Sequence, residues 1–322
     1  MAFNILELEP TKVSSDLASK FILIYGQEKV GKTSFAAEIP NNLLLACEKG
    51  YNAISGIYAV DITKWSDFKL ALRQLESQDA KDKFTTVTID TADILYNYCE
   101  QYVCAQAGVT KIGEIPYGQG YAQTKKEYED ALRKLTQLGY GVIFIAHAEK
   151  TKKVDEKENE YYTLSPALNK RAAAIINPMV DIIGMINVEW DAEGNSSRWL
   201  YTRSTPIVTA GSRWKYLPPR IPFGYQELTD AIAEAIKQEA GRTGTEIVEK
   251  KEDTSEPLQY AAIRQEAERL WKELVTKDQA NAEIILAKAE EIFGHPVRLS
   301  EITAGQVEPY YELVCEMREL AK

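Results

Sequence analysis

Short apolar runs recur along the first two thirds of the chain, and most are followed by a stretch whose apolar residues fall three or four apart. FILIY (21–25), NLLLAC (42–47), IYAVDI (57–62), FTTVTID (84–90) and GVIFIAH (141–147) have the length and β-branched content of buried strands. Between them, TKWSDFKLALRQLES places Trp65, Phe68, Leu72 and Leu75 on one helical face with Thr63 as its cap, and helices are predicted over about 92–107 and 122–138. Strands alternating with helices predict a mostly parallel sheet covered on both faces. Beyond residue 178 the rhythm lengthens. MVDIIGMINVEWDAEGNSSRWLYTRST reads as two strands joined by a turn at Asp191 to Asn195, an antiparallel hairpin added to the sheet, and YQELTDAIAEAIKQEA (225–240) as an amphipathic helix.

The polar stretch 241–257 has little to bury and reads as a linker. After it the chain is helical, with Leu258, Ile263, Leu270 and Leu274 on one stripe and Ile284, Ile285, Ala289 and Ile292 on another. The expected organisation is an N-terminal segment (1–16), an α/β domain (17–240), the linker (241–257) and an acidic helical domain (258–322).

Composition narrows the classes. Among 322 residues, 45% are hydrophobic and 27% charged, as in ordinary globular proteins. No apolar run approaches the ~20 residues of a membrane span, and the first residues lack an export signal, so a cytoplasmic protein with no membrane partner is expected. Four scattered cysteines without a C-x-x-C and two histidines argue against a disulfide framework or a histidine-rich metal site. A net charge of −10 confines any nucleic-acid contact to local basic loops.

The most specific motif follows the first strand. Gly26, Gln27, Glu28, Lys29, Val30, Gly31, Lys32 and Thr33 fit G-x-x-x-x-G-K-[ST], the phosphate-binding P-loop, with Ser34 next in line. Backbone N–H groups of such a loop wrap phosphates, the lysine reaches the β- and γ-phosphates, and the threonine hydroxyl meets Mg²⁺. The preceding apolar strand and following helix supply the context that the motif needs. ATP and Mg²⁺ are therefore expected. The metal also needs an acid at the end of another core strand, and Asp90 closes TTVTID; Asp93, a turn later, reads as a helix-start charge.

Hydrolysis requires a carboxylate to orient or deprotonate water, and Glu48 ends the strand after the P-loop helix. His147 ends VIFIAH at the same carboxyl edge of the sheet, where ligands of open α/β sheets bind. The segment after it, AEKTKKVDEKENEYYTLSP, reads as a long charged loop that does not pack, with Lys150, Lys152, Lys153, Tyr161 and Tyr162 able to meet phosphates and bases. Loop 107–121 offers Lys111, Tyr117 and Tyr121 among flexible glycines. Late basic residues, Arg203, Arg213 and Lys215, are placed to reach a neighbouring subunit's nucleotide.

This order of features (GQEKVGKTS, LLLACEKG, TVTIDTAD, IFIAHAEK and a basic late motif) resembles the RecA-like core. It is more closely similar to phage-encoded P-loop proteins that act as ATP-dependent single-strand annealing recombinases. IPYGQGY, LSPALNKRAAAIINPMVDIIGMI and TAGSRWKYLPPRIP share in the likeness, which spans about residues 17–230. The resemblance implies Glu48 as catalytic base, Asp90 on Mg²⁺, His147 sensing the γ-phosphate, single-stranded DNA on loops 107–121 and 148–163, and Arg213 acting across the interface of a homo-oligomer. Gly-Ser-Arg stands where the family often has a Lys-Asp-Arg-like motif, so no lysine finger is carried over. The acidic tail lies outside the likeness; a single-strand binding protein is one partner that it could hold.

The leading expectation is a DNA-stimulated ATPase that promotes annealing or strand exchange. Its rivals are a helicase or helicase-loader subunit, a small-molecule kinase, and a nucleotide-gated interaction module without turnover.

Overall fold

A computed structural model describes residues 13–14, 16–154, 158–244, 247–248 and 260–321. Most of the expected N-terminal segment and linker, and Leu258, lie outside the described residues. The chain divides into two compact units, Pro10–Asp253 and a second made of Met1–Glu9 with Thr254–Lys322.

In the larger unit the alternating pattern becomes a sheet in the order β11 (Arg220–Pro222), β9 (Ser196–Tyr201), β8 (Ile182–Trp190), β2 (Phe21–Gly26), β6 (Gly141–Val154), β5 (Thr86–Asp90), β3 (Asn42–Ala46), β4 (Tyr58–Asp61). The strands from β8 to β4 run parallel, whereas β9 joins β8 antiparallel through the expected turn. β10 (Gly211–Ser212) pairs with β8 and β7 (Glu160–Pro166) with β6, both antiparallel. A separate two-residue ladder joins β1 (Val13–Ser14) to β12 (Ile247–Val248).

The period of two along β2 divides the core. Leu23 and Tyr25 enter the cluster formed with α2 (Trp65–Leu75), α4 (Ala92–Ala107), α5 (Gln119–Gln137) and α6 (Lys170–Met179). Ile22 and Ile24 enter the opposite cluster, with α1 (Lys32–Glu38) and α7 (Tyr225–Thr243). α3 (Gln78–Lys83) is a short helix capped by Ser77. Trp65, Phe68, Tyr96 and Tyr128 are almost wholly buried, and each such side chain contributes roughly 1.5–3 kcal/mol of transfer free energy. Buried Asn42 donates to the Ala36 carbonyl (2.8 Å) and accepts from Thr88 Oγ1 (3.0 Å), which locks α1 to β3 and β5 and so fixes the P-loop helix against the strands.

Two readings need correction. The segment after His147 is an ordered hairpin, in which β6 continues to Val154 and pairs with β7 from Ala148↔Pro166 to Val154↔Glu160. Cross-strand pairs Thr151–Thr163, Lys152–Tyr162 and Lys153–Tyr161 join its arms, and its base is anchored in the core, where Thr163 is buried, Leu164 packs against the main cluster and the Leu164 carbonyl accepts from the Tyr25 hydroxyl (2.9 Å). Residues 155–157 of its tip lie outside the described residues. Loop 107–121 is likewise packed: Ile112 and Ile115 are buried against Val103 and Cys104, and a Cβ on Gly120 would crowd both isoleucines.

The smaller unit is a three-helix bundle of α8 (Tyr260–Lys277), α9 (Ala280–Phe293) and α10 (Val307–Ala321). Ile263, Leu270, Leu274, Ile285, Leu313, Val314 and Met317 form its own core, while Ile284 is exposed.

Candidate nucleotide site

β2 ends at Gly26, where a Cβ would press on Val30 (3.1 Å) and Ile186 (3.2 Å). The chain then turns through exposed Gln27, Glu28 and Lys29 to Gly31, whose φ of 100° is a left-handed conformation suited to glycine, and enters α1 at Lys32. Lys32 is buried, and its Nζ donates to the carbonyls of Gly26 (3.0 Å) and Gln27 (2.7 Å). Burial lowers its pKa, opposed chiefly by Asp90 and Glu48. A buried ammonium whose direct partners are neutral carbonyls, set in a loop of amides, is a receptor for an anion.

Thr33 Oγ1 donates to Asp90 Oδ2 at 2.7 Å. Asp90 is 4% exposed, and burial raises its pKa against the pull of the Thr33 hydrogen bond and Lys32. A hydroxyl beside a carboxylate is a donor set that suits Mg²⁺ held jointly with phosphate oxygens and water. Among the described residues no group of three or more His, Cys, Asp or Glu side chains could hold a metal by itself.

The Asp90 carbonyl accepts from the amides of Cys47 (2.6 Å) and Glu48 (3.3 Å), so the end of β5 pins the start of the Glu48 turn. Two residues on, a Cβ at Gly50 would sit 3.3 Å from Thr33 Oγ1. Glu48 thus stands at the Thr33 end of the loop with its side chain 40% exposed, and burial raises its pKa while His147 lowers it. Burial likewise lifts the Cys47 thiol to about 12, which leaves it inert at neutral pH. His147 bridges two acids: Nδ1 lies 3.0 Å from Asp93 Oδ2, and Nε2 lies 3.6 Å from Glu48 Oε1. Asp93 is therefore more than a helix-start charge; it orients the imidazole that faces Glu48.

Lys32, Thr33, Asp90, Glu48 and His147 come together at one edge. Arg213 does not join them. It donates to Asp181 Oδ1 (2.9 Å) and the Pro178 carbonyl, and Asp181 lies at the opposite, amino-terminal edge, where its Oδ2 accepts from the Phe21 amide. Arg203 is spent on the carbonyls of Ser212, Trp214 and Lys215. A polar cleft of about 420 Å³ between α4 and α5, lined by Gln106, Gln123, Lys126 and Asp130 among others, shares no residue with the site.

Sequence reasoning missed Arg198 on β9. Its Nη1 lies 3.5 Å from the Val30 carbonyl, 168 residues away in the chain. No local spacing marks it; only the adjacency of β8 and β9 to β2 brings it to the loop.

Residues 18–214 match the family model described as an AAA domain. Over 332 aligned positions the chain is also 28% identical to the SPbeta prophage-derived uncharacterized protein YorG of Bacillus subtilis (strain 168), with 99% of each chain covered. The matched region holds the P-loop, Glu48, Asp90 and His147 and spans well over half of the sequence; the chain belongs to the AAA domain family of P-loop nucleotide-binding proteins.

Proposed function

We propose that the protein is a phage-type, Mg²⁺-dependent ATPase that binds single-stranded DNA and promotes its annealing or exchange. The observation that carries the ATPase half is the convergence of Lys32, the Thr33–Asp90 pair, Glu48 and His147 on one edge of the sheet. In this reading the P-loop amides and Lys32 hold the β- and γ-phosphates. Thr33 and Asp90 would hold Mg²⁺, which when bound would neutralise charge at the phosphates. Glu48 orients and deprotonates the attacking water, and His147, fixed by Asp93, keeps Glu48 aimed. Arg213 can act only on the nucleotide of a neighbouring copy, so a catalytic role for it requires a homo-oligomer.

Two features at the same edge support the DNA half. The β6–β7 hairpin extends directly from His147 and carries Lys150, Lys152 and Lys153 beside Tyr161 and Tyr162. Tyr117 is 99% exposed, on a turn anchored by buried Ile112 and Ile115. A rigidly mounted, fully exposed tyrosine is a stacking face for an unpaired base. The phage setting rests on the prophage-derived relative. A host-cytoplasmic protein agrees with the finding that no helix among the described residues is long and apolar enough to cross a membrane. The helical unit is offered as a docking module for a single-strand binding protein.

The test is ATP hydrolysis with and without single-stranded oligonucleotide, using the intact chain and Lys32→Ala. The reading expects DNA-stimulated phosphate release that Lys32→Ala abolishes. Phosphate transfer to a nucleoside in place of water would replace it with a kinase, and ATP-driven duplex unwinding would replace annealing with a helicase.

A further inference from the structure

The catalytic groups flank the P-loop on one side only. Asp90 and Glu48 belong to β5 and the turn after β3, whereas β8, β9 and β11 continue the sheet on the other side of β2. With a terminal phosphate at Thr33 and Glu48, the nucleoside is expected on the β8, β9 and β11 side of the loop. There, two side chains converge on the last glycine of the motif. A Cβ at Gly31 would collide with Arg198 Nη1 and stand 3.8 Å from a ring carbon of Phe223. The Arg198 guanidinium carbon lies 5.9 Å from the Phe223 ring centre. Phe223 in turn stacks on Phe35 of α1, with centroids 5.2 Å apart and planes at 25°. Arg198 is exposed, and its side-chain partners among the described residues are the Val30 carbonyl and that ring, with no carboxylate to neutralise it.

We propose that Arg198, backed by Phe223, is the wall that receives the nucleobase: the base stacks on the guanidinium plane, and the protein prefers a purine through stacking area. This inference rests on the P-loop being the nucleotide site. A planar, weakly hydrated cation already set beside an aromatic ring keeps its face available to a second π system, which an ammonium cannot offer. Phe223 is held in place, because its ring stacks on Phe35 and its backbone amide donates to the Arg198 carbonyl (3.0 Å).

Direct binding of ATP, UTP and inorganic tripolyphosphate to the full chain tests this, with Arg198→Ala, Arg198→Lys and Lys32→Ala compared by calorimetry. Arg198 is exposed, so its variants should fold, which a thermal melt verifies. Loss of a base stack should weaken ATP binding about tenfold, reduce the preference for ATP over UTP, and leave tripolyphosphate within twofold of wild type. Arg198→Lys should behave like the alanine variant. Equal losses for ATP and tripolyphosphate, with rescue by lysine, would make Arg198 a phosphate contact and overturn the proposal, as would unchanged ATP binding. If Lys32→Ala loses ATP while Arg198→Ala does not, only the base wall fails; if Lys32→Ala also binds ATP normally, the site itself is misassigned.

Discussion

Asp90→Asn should have opposite effects on stability with and without nucleotide. Asp90 is buried at 4% exposure, and burial raises its pKa despite the hydrogen bond from Thr33 and the attraction of Lys32. Since the folded chain holds this proton more tightly than the unfolded chain, its contribution is greatest below the ordinary carboxylate pKa and declines as pH rises through the folded value. At neutral pH the ionised carboxylate is a net cost, with the pull of Lys32 already inside that balance. Asparagine keeps the shape and can still accept from Thr33 Oγ1, so only the charge is lost. Relief on the order of 1 kcal/mol would raise the melting temperature of the ligand-free domain by about 2–4 °C at pH 7, and the difference should vanish at low pH. With MgATP at a hundred times its dissociation constant, wild type should gain about 2.7 kcal/mol and the variant much less, if Asp90 is the metal partner proposed above. Thermal melts across pH, in EDTA and in MgATP, read both effects. A variant less stable than wild type without ligand, yet gaining as much from MgATP, would refute the reasoning.

Glu48→Gln should reduce steady-state hydrolysis by about 10²–10⁴ while leaving ATP affinity within a few-fold, because only the proposed base is lost. His147→Asn should lower kcat about tenfold with little change in KM, because it removes the contact that aims Glu48, and stopped-time phosphate release measures it. Tyr117→Ala should weaken oligonucleotide binding by ~1–3 kcal/mol and leave the basal, DNA-free ATPase unchanged, measured by fluorescence anisotropy. In the same assay, the log–log dependence of affinity on salt should have a slope of ~0.7 per phosphate neutralised, a lysine-to-alanine change at 150, 152 or 153 lowering it by one such increment.

The strands of the core and the P-loop were legible because their signals are local: an apolar run long enough for one buried strand, then two glycines and a lysine at fixed spacing. Glu48 and Asp90 were placed at the right edge for a related reason, since Asp90 ends β5 and Glu48 lies two residues past the end of β3, and parallel strands deliver their carboxyl ends to one edge. The hairpin after His147 was not, because its arms set charged against aromatic residues in cross-strand pairs that no single strand displays, and its base is anchored by Leu164, whose carbonyl accepts from the distant Tyr25 hydroxyl. The anchoring of loop 107–121 was missed as well, since Ile112 and Ile115 are isolated apolar residues whose partners, Val103 and Cys104, lie on the preceding helix. Arg198 and Arg213 depend on sheet order. Pairing β8 with β2 brings the hairpin arginine to the P-loop, and the same pairing sets Asp181, hence Arg213, at the opposite edge.

The geometry also bears on how DNA could be felt at the nucleotide. The His147 ring faces Glu48, and its carbonyl accepts from the Ala167 amide at 2.8 Å, three residues before α6 begins. In the first turn of that helix, the Arg171 guanidinium lies 4.0 Å from the centre of the Tyr121 ring. Tyr121 follows Gly120, against which Ile112 and Ile115 pack to hold the turn that exposes Tyr117. Each step is a direct contact between ordered groups, so a shift of His147 has a short route to the tyrosine. Contiguity alone is not coupling: the route transmits only if it has two arrangements that ATP and DNA favour unequally. Where that holds, thermodynamic reciprocity requires ATP to raise oligonucleotide affinity by the same factor as the oligonucleotide raises ATP affinity. Substitutions along the route, Arg171→Ala above all, should then lower both factors together while leaving each ligand's solitary affinity intact.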